Sequence, residues 1–355
     1  MPPSRSEPSI VRDAPFPASI REAAARGRAL RLANRLKDAA FLPPLDRWWR
    51  GRMRGRIACL VYHRVGETED LSFLTRGGSP VIGARQLERD LAWLVRVGAR
   101  FGTFADLRNG WFPGPEEIGV IVSFDDGFRS NYEAGLEVLG RVGVPAVFFQ
   151  TSGLVSAREL LWEHALYWLT RDARTAARFA ELVRRSCPEA REASGAALAA
   201  ELRERVPGPR VEALLAEVRA TIGDPAAERA AAERAYPSAE HVRRARDLGH
   251  EIASHGHAHY RRETIDDATF ETDLVRSVRA LSDLLGSPPA AYSYPYDSHR
   301  PGDDAIVGRH FRQAATVGRR PIECDTDPLW IPRFAWPGPQ RNSLRERRWL
   351  LTGTI

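Results

Sequence analysis

Gly119 to Phe128 reads GVIVSFDDGF, and the fold of the chain turns on this stretch. Val120, Ile121, Val122 and Ser123 run into Phe124 without alternating polar positions, the pattern of a strand buried on both faces. The strand delivers two adjacent carboxylates, Asp125 and Asp126, to a turn at Gly127. Neighbouring aspartates at the end of a buried strand repel each other and resist desolvation unless a cation or a proton is shared. The rest of the sequence has to supply that partner.

Working outward, IACLVYHRV from Ile57 is another run of strand formers, ending near His63 and Arg64. Gln86 to Val97 carries apolar residues at 87, 91, 94 and 95, the spacing of an amphipathic helix, and Gly98 marks its stop. Phe101 to Leu107 reads as a short extended piece. After the aspartates come a helix from about Asn131 to Val142 and a buried strand from Val144 to Gln150. Strand and helix repeated at this rhythm predict an α/β domain of parallel strands with helical crossovers. From about 157 to 239 the rhythm breaks into alanine-, arginine- and glutamate-rich helical stretches, with an apolar helix at Leu160–Leu169. These read as a helical cap over one face. The rhythm then resumes with a capped helix (Ser238–Leu248), a short strand, a helix from about Asp267 to Leu285, the extended AAYSYPYD, a helix near Asp304–Phe311 and a strand around Gln313–Val317. IPRFAWPGP follows, and Arg345–Leu351 is a short closing helix at best.

The chain has 355 residues, 43% of them hydrophobic, which is enough for one large domain with insertions. No run approaches the roughly 18 apolar residues of a membrane span, and the first thirty residues lack a secretory apolar core, so a cytoplasmic location is expected. Cys59, Cys187 and Cys324 are far apart and imply no disulfide framework. Residues 1–56 hold 13 basic against five acidic residues, a net +8 within an overall +6. This basic, partly helical arm suits peripheral contact with an anionic membrane, and Trp48 and Trp49 among arginines read either as packing on the domain or as an interfacial anchor. The body lacks a basic patch interleaved with aromatics, so nucleic acid is not expected as a partner.

His255, His257 and His259 lie in SHGHAH. Residues four apart on a helical or turn segment point the same way, as His255 and His259 would, and imidazoles with a carboxylate are the usual ligands of a catalytic zinc. His257 would point elsewhere. An aspartate pair in need of a cation and a histidine pair in need of a third ligand answer each other.

SFDDGF followed after about 130 residues by HEIASHGHAH resembles the polysaccharide deacetylase family, also known as the NodB homology or carbohydrate esterase 4 family. Its signature is [ST]FDDG, then H-[ST]-x-x-H, then an R-x-P-[YFW] turn. LVYHRV and GVPAVFFQTSG are also similar to segments of bacterial members, and the likeness runs from about residue 57 to 336. The resemblance implies a distorted (β/α)7 TIM-like barrel with one divalent metal ion, zinc or alternatively cobalt, nickel or manganese. Asp125 would be the general base, and Asp126, His255 and His259 the metal ligands. The implied activity is removal of an N-acetyl or other N-acyl group from an amino sugar of a glycan or lipid-linked precursor. Alternatives are a deformylase or amidase on a small linear amide, and a non-catalytic carbohydrate-binding barrel. Two positions depart from the pattern. Gly256 stands where many members carry Ser or Thr, and AYSYPYD keeps the Pro295–Tyr296 pair, which with His63 would bind the substrate, but has Ser293 in place of the arginine. Arg333 in IPRF resembles the arginine that substitutes in such members, and it also reads as a plain surface arginine. For the general acid the candidates are His63, otherwise a hydrogen-bonded strand-end histidine, and a residue of the cap. Trp162, Trp168 and Trp336 could stack on sugar rings or belong to the core.

Overall fold

The computed structural model describes residues 50–335, apart from 67–70, 189, 193–194 and 319. Most of the basic arm, Trp48, Trp49, Trp336 and the expected closing helix lie outside the described residues. Ten strands are β1 (Ile57–Tyr62), β2 (Arg64–Val65), β3 (Val81–Ile82), β4 (Arg100–Gly102), β5 (Gly119–Phe124), β6 (Val147–Gln150), β7 (Glu251–Ser254), β8 (Ala291–Ser293), β9 (Gln313–Val317) and β10 (Ile331–Ala335). Seven of them close into a parallel barrel in the order β1, β5, β6, β7, β8, β9, β10. β5, the strand of GVIVSF, is the keystone. It pairs with β1 along its full length, from Ile57↔Gly119 to Tyr62↔Phe124. Its other edge is shared, with β4 on the first half and β6 on the second. All six of its residues are buried, as an unalternating run requires.

Inside the barrel, Ile57, Cys59, Ile121, Val147, Phe149, Ala253, Ala291, Ala315 and Ile331 form one core cluster. Strand alternation carries the same inward face upward to Ser123, Ser293 and Arg333. The Arg333 guanidinium lies 4.8 Å from the Phe149 ring centroid and is wholly buried. Cys59 is a buried structural thiol, its pKa pushed up to about 12 by burial and partly offset by Arg333. Outside the barrel, α1 (Ala84–Arg96) and α2 (Leu136–Val142) pack on the β1–β5–β6 face. The Asn131–Gly135 turn ahead of α2 is π-helical. Of the expected extended piece Phe101–Leu107 only the start is strand, in β4, and Phe104–Arg108 is a short helix, because Thr103 and Asp106 cap each other's backbone N–H groups.

Between β6 and β7 lie α3 (Trp162–Leu169), α4 (Ala173–Ser186), α5 (Gly195–Arg205), α6 (Gly208–Ile222), α7 (Pro225–Ala235) and α8 (Ala239–Asp247), and α9 (Asp267–Leu285) follows β7. α8 begins at a capping box made by Ser238 and His241. The inner faces of α3 to α6, through Leu166, Phe179, Val183, Leu202, Leu215 and Val218, join Phe270, Leu274, Tyr292, Tyr294 and Phe311 in one cluster. The inserted helices therefore share a core with the barrel's own elements. Among the described residues no helix is long and apolar enough to cross a membrane.

Candidate active site

Strand parity places the site. The inward positions Ile121 and Ser123 lead to Asp125, just past the end of β5, and Ala253 leads to His255, just past β7. Ser293 and Arg333 stand on the same inward face of β8 and β10. Arg333 grips Asp125 with both arms, Nη1 donating to Oδ1 at 2.6 Å and Nη2 to Oδ2 at 2.8 Å. Its Nη2 also donates to Ser293 Oγ at 2.5 Å. Ser293 is thus a hydrogen-bond partner of the arginine that reaches Asp125 from β10. Burial alone would push Asp125 up, but the guanidinium more than offsets it, so the carboxyl stays below its usual range. The Asp125 amide is tied to the Tyr62 carbonyl at 2.9 Å, which fixes the turn against β1.

Asp126, His255 and His259 form the second group, with one donor atom from each lying within 4.8 Å of the others and all three residues buried. His255 Nε2 is 3.5 Å and His259 Nε2 3.3 Å from Asp126 Oδ1. The two histidines come together on an irregular loop, not on a helical turn, and His259 has φ +55°. Among the described non-glycine residues, positive φ occurs at only five positions, and Asp126, His259 and Tyr296 are three of them. Backbone held in that region costs about 1–3 kcal/mol per residue and persists where the surroundings over-determine it. Gly256 serves the same loop. Its φ is +76°, and a Cβ there would sit 2.7 Å from Asp273 Oδ2, the carboxylate that accepts from the His257 and Ala258 amides. A serine or threonine would clash with that clamp, so the glycine fits its place without any hydroxyl.

The donor set fits a divalent ion. His255 Nδ1 lies 2.8 Å from the Ser293 carbonyl, so that nitrogen carries the proton and Nε2 presents its lone pair toward Asp126. The contact lies at the barrel's loosest seam, because β7 and β8 share only the pair Ser254↔Tyr292. Both ring nitrogens of His259 are buried without a well-aligned hydrogen bond, and Nε2, 3.3 Å from Asp126 Oδ1, is placed to meet a ligating cation. Its Nδ1 lies 2.6 Å from Glu163 Oε1. Glu163 comes from α3 in the inserted segment, and its other oxygen accepts from the Tyr296 hydroxyl. Burial would raise Glu163, yet His259 and then His164 and Tyr296 bring it down to about 2. His259 is opposed by burial but pushed up to about 10 by Glu163 and Asp126. Asp126 is held well below the usual carboxylate range, its two histidines outweighing burial.

Glu163 is a site residue that the motifs do not reveal. The available signal was Glu163 and His164 side by side in the apolar stretch LLWEHALYWL, two titratable residues on a helix that has to be buried. The other candidates fall as follows. The Tyr296 ring packs tilted against His259, centroids 4.7 Å apart, and Pro295 is buried. His63 is half-buried one residue past the Tyr62↔Phe124 pair, level with Asp125. His257 faces away from the group, with Nδ1 at 2.9 Å from Ser152 Oγ and Nε2 at 3.0 Å from Arg276. Trp162 is core, its indole donating to the Ala258 carbonyl at 2.8 Å, and Trp168 packs on Phe73 and Arg171.

A family model for polysaccharide deacetylase matches residues 215–306, a span that contains His255, His259, Pro295 and Tyr296. No curated protein matches the chain. Among solved structures it is similar to a Streptococcus pyogenes deacetylase, PplD, in complex with acetate, at 13% identity and TM-score 0.51 over 81% of this chain and 94% of that one. It is also similar to IcaB from Ammonifex degensii, at 18% identity and TM-score 0.52 over 85% and 98%. A de-N-acetylase from Aggregatibacter actinomycetemcomitans gives 18% identity and TM-score 0.51 over 83% and 100%. At these identities the structural likeness establishes the fold.

Proposed function

We propose that this chain, whose barrel and motif-bearing segment are those of the polysaccharide deacetylase family, is a metal-dependent hydrolase that removes an N-acetyl group from an amino sugar of a glycan or lipid-linked glycan precursor. The observation that carries the proposal is the division of labour between adjacent carboxylates: Asp125 is locked by Arg333, and Asp126 turns toward two histidines. Asp126, His255 and His259 would hold a divalent ion, zinc by the character of the donors. Such an ion, when bound, supplies Lewis acidity, bringing the pKa of water toward about 7 and polarising an amide carbonyl.

The protein's own groups do the rest. Asp125, ionised and oriented by the bidentate guanidinium, takes the proton of the attacking water. The Glu163 carboxylate, 2.6 Å from Nδ1, holds the His259 ring by charge, and the Ser293 carbonyl holds His255 by a hydrogen bond. His63, level with Asp125 at the top of β1, is the proposed proton donor to the leaving amine. Pro295 and Tyr296 bound the substrate beside His259. The test is acetate release from chitooligosaccharides and from lipid-linked N-acetylhexosamine by protein loaded with one zinc per chain. Release should stop on chelation, return with zinc and be lost in Asp125→Asn. Release that is indifferent to the metal, or equal rates for wild type and Asp125→Asn, would sink the proposal.

A further inference from the structure

Two arginines flank the Tyr296 ring, and neither belongs to the metal group or to the Asp125 pair. Arg261 has its guanidinium carbon 4.5 Å from the ring centroid and Arg203 has its own at 5.9 Å. Arg261 follows the histidine loop by two residues, while Arg203 projects from α5 in the inserted segment. Both are largely withdrawn from solvent, with side chains 14% exposed for Arg203 and 22% for Arg261.

Withdrawn guanidinium groups normally have carboxylate partners that are also withdrawn, and these two do not. The acid beside Arg261 is Glu263, 3.8 Å away with a side chain 58% exposed. The acid beside Arg203 is its chain neighbour Glu204, 3.2 Å away and 53% exposed. Pairs of that kind contribute little. The nearby buried carboxylate, Glu163, is already engaged by His259 and Tyr296. On each arginine Nε is buried without a hydrogen-bond partner. Arg203 is nevertheless fixed in place: it donates to the Gly77 carbonyl, lies 5.6 Å from the Tyr167 ring, and would stand 3.1 Å from a Cβ at Gly78. The outcome is two positioned cations, short of acceptors, over the aromatic ring that packs on His259.

We infer that Arg203 and Arg261 form an anion subsite beside the reacting centre, so that the preferred acylated sugar carries a negatively charged group, a phosphate or a carboxylate. Arginine suits either, because its planar fork meets two oxygens at once. The inference rests on the deacetylase proposal for the chemistry, but recognition of the anion stands apart from turnover.

The experiment compares three acetylated probes of similar size: N-acetylglucosamine 1-phosphate, N-acetylmuramic acid and the neutral N-acetylglucosamine dimer. The zinc-loaded wild type, Arg203→Gln, Arg261→Gln and Arg261→Lys are measured, and calorimetry follows inorganic phosphate with each protein. One or both anionic probes should be favoured over the neutral one, and which of them is favoured identifies the group. The preference should fall about tenfold or more in either glutamine variant, chiefly through KM, and Arg261→Lys should restore part of it. Phosphate binding should weaken by a similar factor, since any phosphate held by zinc alone is common to all four proteins. Added salt should raise KM for the preferred anionic probe and leave the neutral one unmoved, a readout that needs no variant to fold. If acetate is released but the anionic-to-neutral ratio is the same in wild type and Arg261→Gln, the subsite is wrong and the deacetylase proposal stands. If no probe is deacetylated while phosphate binding still depends on the two arginines, the reverse holds. Phosphate binding equal in wild type and both glutamine variants overturns the subsite in either case.

Discussion

The rim of the barrel and the inserted helices contribute to the same site in different ways. Of the rim groups, Asp125, Asp126, His255 and Ser293 sit at or just past the ends of β5, β7 and β8, and Arg333 lies within β10, with positions set by strand parity and ladder register. The inserted helices supply Glu163 and Arg203 from α3 and α5, through a packed core shared with the barrel. The rim carries groups suited to the reaction, and the insertion sets their charge environment. Residues of the first kind should be nearly indispensable, and residues of the second kind should tune affinity.

The largest effect expected on the rim is that of Asp125→Asn, which should lower kcat by about 10²–10⁴-fold while leaving metal content at that of wild type. Arg333→Leu breaks a buried bidentate pair and strands a buried carboxylate. It should cost about 3–5 kcal/mol in denaturant unfolding. The same variant tests the electrostatics. Arg333 offsets the upward push of burial on Asp125, so its removal lets the carboxyl rise. The acid limb of the activity profile should then move to higher pH, and an unmoved limb would remove Asp125 as the group that titrates there.

On the side of the insertion, Glu163→Gln should weaken zinc affinity by about 10–100-fold, measured by competition with a chelator, because Glu163 orients a ligand without being one. A variant with unchanged affinity would make Glu163 a packing residue only. His259 gives the accompanying pH dependence. Held up to about 10 in the metal-free protein, it is protonated at neutral pH, so ion uptake has to expel that proton. Affinity should therefore rise with pH by about tenfold per unit between roughly pH 6 and 8, and calorimetry in buffers of different ionisation enthalpy should count the proton. The smallest effect expected is that of Gly256→Ala, which combines positive φ with a close approach to Asp273. It should cost about 1–3 kcal/mol, and a neutral result would mean that the loop relaxes freely.

The contrast between rim and insertion also explains what could be read from the sequence. β1 and β5 were visible as unbroken apolar runs because they are buried on both faces. The adjacent aspartates and the spaced histidines were visible because charge at the end of a buried strand needs a partner. In Phe101–Leu107 the aromatic and apolar residues suggest an extended piece, but past Gly102 a capping box between Thr103 and Asp106 outweighs them. The histidine loop was expected to be helical or turn-like from spacing alone, whereas its geometry comes from Gly256 and the Asp273 clamp, which is 17 residues away. Glu163 lies 96 positions before His259, and no local pattern joins them. In sequence Arg203 is one more cation on an amphipathic helix. Its place beside Tyr296 follows from how the inserted helices pack.

Metal content tests whether Asp126, His255 and His259 form one ion site with Asp125 outside it. Protein dialysed against limiting zinc would be analysed by inorganic mass spectrometry for wild type, Asp125→Asn, Asp126→Ala, His255→Ala and His259→Ala. The account predicts one zinc per folded chain in wild type and Asp125→Asn, and well under one in the other three. One zinc per chain retained in the folded His255→Ala variant, or lost in Asp125→Asn, would contradict it.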